Sequence, residues 1–340
     1  MSSLDLATLL RIPQLSQHID RVEKDMQHAV AADNPFLSEP VARLLAVRGK
    51  RLRPTLLIAA ASIQTADISE SVIAGCVAIE LIHIASLVHD DIIDEAATRW
   101  NIPTISAKEG IGRAVLVGDY FLARATQQAA TVNAEVAGIA SSVIAELCEG
   151  QAYELADAHN IGRTMTSLLR AMRSKTAALM SASCRIGALC AAYTPEQVAA
   201  LGRYGDAFGM AFQFLDDALD FLSTPELSGK PTGNDVREGT YTMPLILALG
   251  SPDAGKVKKL IDDPTDSART MLVSLLLEGG YIGKTIAEAR KYNQLAVNAL
   301  RDFSHDATVT QSLSELPDAY LAWSLDHYTA DIYQSTVAAY

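Results

Sequence analysis

The sequence predicts an all-α protein, a single large helical domain. Apolar residues recur at helical spacing along almost the whole chain, and no alternating run of β-branched residues competes with them. The breaks between these segments are short and consist of polar, Gly or Pro residues. No Pro/Gly/Ser-rich linker, low-complexity tract or fixed repeat divides the 340 residues. We therefore expect one domain over residues 1–340.

The helices are expected in the following order. Apolar residues at helical spacing run from Leu15 to Met26, the Asn34-Pro35 pair interrupts them, and the helical pattern resumes at Val41. Ala-rich periodic segments follow at about 54–66, 71–97, 112–131, 133–158, 164–191, 195–223 and 241–250. The C-terminal part continues the same pattern at about 268–277, 282–303 and 318–339.

Composition excludes some classes of function. The net charge of −12 argues against a nucleic acid as partner, because phosphate binding requires clustered Lys and Arg. The N-terminus has no basic start followed by an apolar core, and no run of 18 apolar residues predicts a transmembrane segment. The four cysteines lie in Ala-rich helical patterns without metal-ligand spacing. We expect reduced core cysteines and a cytoplasmic protein.

The stretch from Ile79 to Arg99, IELIHIASLVHDDIIDEAATR, contains the most informative motif. Helical periodicity places Asp90 and Asp94 one turn apart on one face, with His83 two turns earlier near the same face. With Asp91, three acids fall within five residues at the end of an otherwise apolar helix. Carboxylates beside such a helix require a cation, and all-oxygen ligands suit Mg²⁺ shared with substrate phosphates.

A second motif repeats this D-D-x-x-D spacing. FQFLDDALDF contains Asp216, Asp217 and Asp220 after a similar apolar helix. A single motif is more often a solvated acidic helix end, but two chance matches have odds on the order of one in a hundred or less. Two acid-ended helices that face each other would bind divalent ions, and the natural ligand of such ions is a diphosphate.

Basic residues suggest where the anion binds. Gly49 to Pro54, GKRLRP, places three cations before a helix, which is typical of an anion site, although a solvated basic loop is an alternative. The runs Lys175-Thr176 and Gly229-Lys230-Pro231 are weaker signals, since ordinary surface lysines explain either run alone.

Together these residues make the chain resemble the trans-isoprenyl diphosphate synthases of the polyprenyl synthetase family, from about Leu44 to Leu249 and more weakly beyond. The motifs are GKRLRP at 49–54, IELIHIASLVHDDIIDEAATR at 79–99, GDYFLARA at 118–125, SKTAALM at 174–180, FQFLDDALD at 212–220 and GKPTGNDVREGTYTMP at 229–244. The resemblance implies an all-helical domain of the isoprenoid synthase type around a central cavity, assembled as a homodimer. It also implies about three Mg²⁺ ions, which Mn²⁺ can replace. It also implies condensation of isopentenyl diphosphate with an allylic diphosphate.

The resemblance further implies a role for each matching residue. The expected metal ligands are Asp90, Asp94, Asp216 and Asp220. The residues expected to hold the allylic diphosphate are Arg99, Lys175, Thr176, Gln213 and Lys230. Those expected to hold isopentenyl diphosphate are Lys50, Arg53 and His83. The catalytic set is accordingly Asp90, Asp94, Arg99, Lys175, Asp216 and Lys230, and the released diphosphate, rather than a side chain, is expected to take up the proton.

Two positions depart from the family pattern. Trp100 follows Arg99 where a second arginine is usual, and Thr240 stands where a lysine is common, so Arg237 or Lys230 would have to compensate. Losing a charged hydrogen bond costs about 1.5–3 kcal/mol, which weakens binding roughly ten- to a hundredfold. We expect lower affinity and unchanged chemistry.

Product length is predicted from the helix that precedes Asp90. Ala85 and Ser86 are small, and with Ile82, Ile79 and Gly75 they would leave this face open to a growing chain. A helix of about 30 Å accommodates about six or more isoprene units, so we expect a product of about C30 to C45, suited to a quinone side chain and able to enter a membrane.

The same sequence features leave four alternative functions open. A geranylgeranyl-type short-chain synthase would result if Ile79, Ile82 and Phe121 close the tunnel. A class I terpene cyclase would have little use for Lys50, Arg53 and His83. An inert partner subunit would usually have lost acidic residues, and an HD-type phosphohydrolase leaves the second acidic motif unexplained.

Overall fold

The described secondary structure is almost entirely helical, as the hydrophobic periodicity predicts. The structure is a computed structural model and describes residues 5–47, 49–65, 67–100, 102–228, 231–303, 308–330 and 333. The helices of the N-terminal half are α1 (Leu6–Leu10), α2 (Leu15–Ala29), α3 (Pro35–Leu45), α4 (Leu52–Ala61), α5 (Glu70–Ile93), α6 (Ile105–Glu109), α7 (Ile111–Val132) and α8 (Ala134–Ala156). Those that follow are α9 (Met165–Met172), α10 (Ala178–Cys190), α11 (Pro195–Leu222), α12 (Pro225–Ser228), α13 (Asn234–Arg237), α14 (Met243–Leu249), α15 (Ala254–Ile261), α16 (Asp266–Glu278), α17 (Tyr281–Ala299) and α18 (Thr308–Tyr328).

Several predicted boundaries were wrong for local reasons. Helix α3 begins at Pro35 and not at Val41, because the side chain of Asn34 accepts the Phe36 N–H at 2.9 Å and caps the helix. The segment predicted as one helix over 164–191 contains a π-helical turn, Arg173–Ala177, between α9 and α10. The short helices α1, α6, α12, α13 and α15 were not predicted, and neither was a hairpin of β1 (Thr98–Arg99) with β2 (Ile102–Pro103).

The chain divides into two compact units. Unit 1 comprises Met1–Leu147, Ala178–Asp206 and Val297–Ser314. Unit 2 comprises Cys148–Ala177, Ala207–Ala296 and Glu315–Tyr340. The expectation of a single domain over residues 1–340 stays a prediction.

Unit 1 is built around α5. Ser69 caps this helix by accepting the Val72 N–H, and α2, α4, α7 and α10 pack around it. Among the described residues, α5 is the one helix long and apolar enough to cross a membrane, but 72% of its most apolar window is buried inside the protein. This burial is the pattern of a core helix.

Unit 2 has an aromatic core along the second half of α11. The rings of Phe214 and Tyr292 lie 5.4 Å apart, and Phe208 meets Tyr320 edge to face at 6.0 Å. Helices α14, α15 and α16 pack against one another in the same unit.

The cysteines are free thiols. Cys76 and Cys184 are buried, as expected, and burial raises the pKa of the Cys184 thiol to about 12. Cys148 is exposed, so the prediction that it is a core residue was wrong. The Ala-rich pattern around it reflects a helix with small residues on its exposed face.

Candidate active site

The first acidic motif ends α5 with its carboxylates in two different environments. The Asp94 N–H donates to the Asp90 carbonyl at 2.8 Å, so these side chains lie one turn apart, as predicted. Asp94 is exposed and Asp90 is partly exposed, whereas Asp91 is only 5% exposed. Asp90 and Asp94 are therefore the carboxylates of this motif that can receive an ion.

Asp91 forms an ion pair with Arg99. Its Oδ1 accepts a hydrogen bond from the Arg99 Nε at 2.7 Å, and the hairpin that carries Arg99 is closed by Thr104, whose hydroxyl donates to the Ala96 carbonyl at 2.7 Å. Burial raises the pKa of Asp91, and the Arg99 guanidinium partly offsets this rise. Since an arginine has five N–H donors, the bond to Asp91 orients Arg99 and leaves donors for an anion. The sequence analysis counted Asp91 as a third acid of the motif and missed this role.

The basic run GKRLRP does not present three equivalent cations. Arg51 is 8% exposed, and its Nη1 donates to Glu80 Oε1 at 2.7 Å while its Nε donates to Glu23 Oε1 at 3.3 Å. Its φ of 49° lies in the left-handed region, where it caps α4. Lys50 is exposed and Arg53 partly exposed, so these two remain the candidates for anion binding. A charged residue such as Glu80 within an apolar helix signalled that a partner was needed.

His83 lies within unit 1 on the same face of α5 as Asp90. It keeps some exposed surface, yet most of the ring is surrounded by protein. Burial lowers the pKa of His83 well below its usual value, and Arg53, Arg51 and Arg99 lower it further. His83 is therefore a neutral imidazole that can donate one hydrogen bond and accept another.

The second acidic motif lies in unit 2 and repeats the division seen in the first. Asp216 is exposed, while Asp217 is 2% exposed and accepts a hydrogen bond from Gln213 Nε2 at 3.0 Å. Burial raises the pKa of Asp217 to about 8. Asp220 accepts the backbone N–H groups of Asn234 and Asp235 at 3.1 and 3.3 Å, so it also anchors the segment that follows the motif.

The Lys-Thr pair lies next to the same helix of unit 2. Both residues lie in the π-helical turn, a feature that occurs frequently at functional sites. Thr176 donates from its hydroxyl to Gln213 Oε1 at 2.8 Å, and Lys175 pairs with Glu154. Glu154 was not predicted, because nothing in its local sequence distinguishes it from a surface residue of α8.

Three further positions from the sequence analysis are Lys230, Trp100 and Thr240. Lys230 lies outside the described residues. Trp100 is 51% exposed at the tip of the hairpin with a φ of 52°, and Thr240 is half-buried. The compensation by Arg237 or Lys230 stays a prediction.

The donor set fits a magnesium ion shared with a substrate. Within the described part of the chain, no group of three or more His, Cys, Asp or Glu side chains could hold a metal. Each motif instead offers a pair of carboxylates one turn apart, Asp90 with Asp94 and Asp216 with Asp220. Mg²⁺ is usually bound by one or two carboxylates with waters and substrate phosphates, so pairs are sufficient.

Comparison with known proteins defines the class of protein. A solved decaprenyl diphosphate synthase from Rhodobacter capsulatus matches with a TM-score of 0.85 and 32% identity, over 94% of this chain and 99% of that one. The fold is thus the all-α isoprenoid synthase type, as expected. The polyprenyl synthetase profile matches residues 34–275, and the chain belongs to this family.

Two relatives with different product names match most of this chain. Heptaprenyl diphosphate synthase component 2 of Bacillus subtilis is 37% identical over 252 residues, 74% of this chain and 72% of the relative. A short chain isoprenyl diphosphate synthase of Methanocaldococcus jannaschii is 35% identical over 249 residues, 72% of this chain and 75% of the relative. The expected enzyme class, a polyprenyl diphosphate synthase with prenyltransferase activity, is confirmed.

Proposed function

We propose that this enzyme condenses isopentenyl diphosphate with an allylic diphosphate to make a long-chain all-trans polyprenyl diphosphate. The observation that carries the proposal is the presence of two D-D-x-x-D motifs in which a buried middle acid leaves the outer acids partly or fully exposed. An exposed carboxylate pair one turn apart is suited to a metal bound to a diphosphate.

The resemblance to the family divides the proposed binding residues between the two substrates. Arg99, Lys175, Thr176, Gln213 and Lys230 are proposed to bind the allylic diphosphate. Lys50, Arg53 and His83 are proposed to bind isopentenyl diphosphate. Arg99 donates a hydrogen bond to Asp91 and Thr176 donates one to Gln213, so these side chains are already fixed and lose less rotamer freedom when a substrate binds.

Asp90, Asp94, Asp216 and Asp220 are proposed to hold Mg²⁺, about three ions in all, with Mn²⁺ as a substitute. When bound, these ions neutralise charge that grows on the leaving diphosphate. Arg99 and Lys175 are proposed to add positive charge that stabilises the leaving diphosphate.

The reaction then balances without a side-chain nucleophile. The C1–O bond of the allylic substrate breaks, its electron pair leaves with the diphosphate, and an allylic cation remains. The double bond of isopentenyl diphosphate attacks C1, and the proton lost from the new cation passes to the released diphosphate. The product is an allylic diphosphate longer by five carbons, so the cycle can repeat.

The length of the product needs separate argument. The predicted open face of α5 is closed below Ser86, because Ala85, Ile82 and Ile79 are each 0% exposed. A Cβ on Gly75 would meet Ile186 at 2.8 Å, so that position faces packed side chains. Packed side chains fill this face below Ser86, and the path of the growing chain stays a prediction.

We retain a product of about C30 to C45, at about five carbons per added unit, because the relatives with hepta- and decaprenyl names make long chains. The closed face favours a second candidate, a geranylgeranyl-type short-chain synthase. Incubation of pure protein with Mg²⁺, isopentenyl diphosphate and primers of several lengths, followed by mass spectrometry, decides between them. Products that stop at about C20, the four-unit length, would replace the long-chain proposal.

Assembly as a homodimer is proposed as well. Helix α7 exposes Ile111, Val115 and Leu116 at 63%, 39% and 53%, an apolar strip suited to a second copy. The Bacillus subtilis relative is named as one component of a synthase, so a different partner subunit is the competing outcome. Light scattering of the purified chain distinguishes a dimer from a monomer that requires another protein.

The free thiols support a cytoplasmic location, and the apolar product would partition to a membrane.

A further inference from the structure

The GDYFLARA motif at 118–125 has no function so far, although it lies on α7 along the helix that carries the first acidic motif. Its buried residues Gly118, Phe121 and Ala125 belong to the seam by which α7 packs on α5. Within the described residues, no other pair of helices packs as extensively. The motif therefore contacts α5 directly.

Gly118 makes room for one particular side chain. An ideal Cβ at this position would lie within 3 Å of three ring atoms of His89, with Cδ2 at 2.6 Å and Cε1 at 2.9 Å. A side chain at this position would force the imidazole to move. The His89 Nε2 also lies 3.6 Å from Asp119 Oδ1, so the next residue of the motif adds a polar contact to the same ring.

His89 immediately precedes Asp90 in the last turn of α5. We propose that His89, seated in the notch over Gly118, is a positioning residue that fixes the rotation of this turn and thereby the direction of the Asp90 and Asp94 carboxylates. The inference rests on the proposed function, because it assumes that these carboxylates bind Mg²⁺.

The geometry explains why such a device is needed. A helix side chain reaches about 5–6 Å from the helix axis, so a rotation of about 20° moves a carboxylate by roughly 2 Å. Mg²⁺ requires near-octahedral ligands at about 2.0–2.1 Å, so a shift of that size removes a ligand. Asp94 is the C-cap of α5, where helix ends fray most easily.

The test compares Gly118→Ala with a matched control on the same helix. Gly112→Ala adds the same methyl where no atom lies within 4 Å. We expect Gly118→Ala to raise the Mg²⁺ concentration for half-maximal activity at least about tenfold and to lower kcat. Gly112→Ala should leave both at wild-type values.

A second readout does not depend on turnover. Wild-type protein should gain thermal stability when Mg²⁺ and inorganic diphosphate are added together, and Gly118→Ala should lose most of that gain. If the wild-type protein does not elongate any prenyl diphosphate, the proposed function is refuted. The thermal comparison still tests the role of His89 in that case.

A double variant identifies the clashing partner. In a His89→Ala background the added methyl group has space. Gly118→Ala should therefore not raise the Mg²⁺ concentration for half-maximal activity any further. His89→Ala alone should raise that requirement, which keeps the proposal testable if Gly118→Ala does not fold. Wild-type Mg²⁺ dependence in His89→Ala, or losses that simply add in the double variant, would overturn the proposal.

Discussion

The buried ion pair between Arg51 and Glu80 makes a quantitative prediction about stability. Arg51→Met would remove the cation and leave Glu80, 4% exposed, inside the protein with its main partner gone. Breaking a buried pair from one side costs about 3–5 kcal/mol, because an uncompensated charge stays buried. The entropy of unfolding for a chain of this length is about 0.7 kcal/mol/K, so the melting temperature should fall by about 4–7 °C.

Two further variants make the cause identifiable. Arg51→Met with Glu80→Met replaces both charges by apolar groups, which is often neutral in stability, so most of the lost melting temperature should return. Lys291→Met breaks a pair with Glu288 in which the lysine is 71% exposed, and it should cost no more than about 1 kcal/mol. Circular dichroism melts of the four proteins give the comparison.

The same variants report on the neighbouring anion site. Because Arg51 holds the segment between Lys50 and Arg53, Arg51→Met should also raise the KM for isopentenyl diphosphate, by roughly the tenfold that loss of one charged hydrogen bond produces. If Arg51→Met melts within 1 °C of wild type, or if the double variant is less stable than the single one, the charge pair does not carry the stability assigned to it.

Five other substitutions test the proposed site. Asp90→Ala and Asp216→Ala should each lower kcat by at least about 10³ in steady-state assays, since each removes a proposed metal ligand, and near-normal turnover would exclude that role. Arg53→Ala should raise the KM for isopentenyl diphosphate more than that for the allylic primer; the reverse order would mean that the two diphosphates are exchanged. Trp100→Arg should lower the isopentenyl diphosphate KM, and no change would assign the exposed indole to another role. Ser86→Phe should shift products, sized by mass spectrometry, toward about C15–C20, the three- to four-unit range, and an unaltered product would separate this position from chain length.

Much of the fold could be predicted because helix formation depends on local pattern. The long helices α5, α7, α8 and α11 follow their apolar periodicity closely. Local chemistry was misjudged at Asn34-Pro35, where a break in one helix is also the capped start of the next. The π-helical turn was not predicted, because apolar periodicity does not distinguish it from an α-helix; a Cβ on Gly150 of α8 would lie 2.7 Å from the Lys175 backbone nitrogen in this turn.

Partners distant in sequence could not be predicted. Glu80 lies in an apolar helix, so its need for a cation followed from its cost of burial, yet nothing local pointed to Arg51 rather than Arg53. Likewise Gly118 begins the motif GDYFLARA, but only the fold shows that the His89 ring packs against it. In both cases the sequence indicates that a position is unusual, and only the fold supplies the partner.

One regularity of the site follows from elementary geometry. In each motif, a partly or fully exposed residue is followed directly by a buried residue that makes a hydrogen bond inside the protein. The pairs are Lys50 with Arg51, Asp90 with Asp91, and Asp216 with Asp217. In the two aspartate motifs, successive helix residues point about 100° apart, so if the first carboxylate faces a ligand, the second must face a neighbouring element. The second residue therefore needs a partner inside the protein, and a partner there fixes the rotation of the helix that presents the first. Doubling the acid in D-D-x-x-D thus serves orientation as much as charge, and for this reason removal of the buried acid should impair metal binding without removing a ligand.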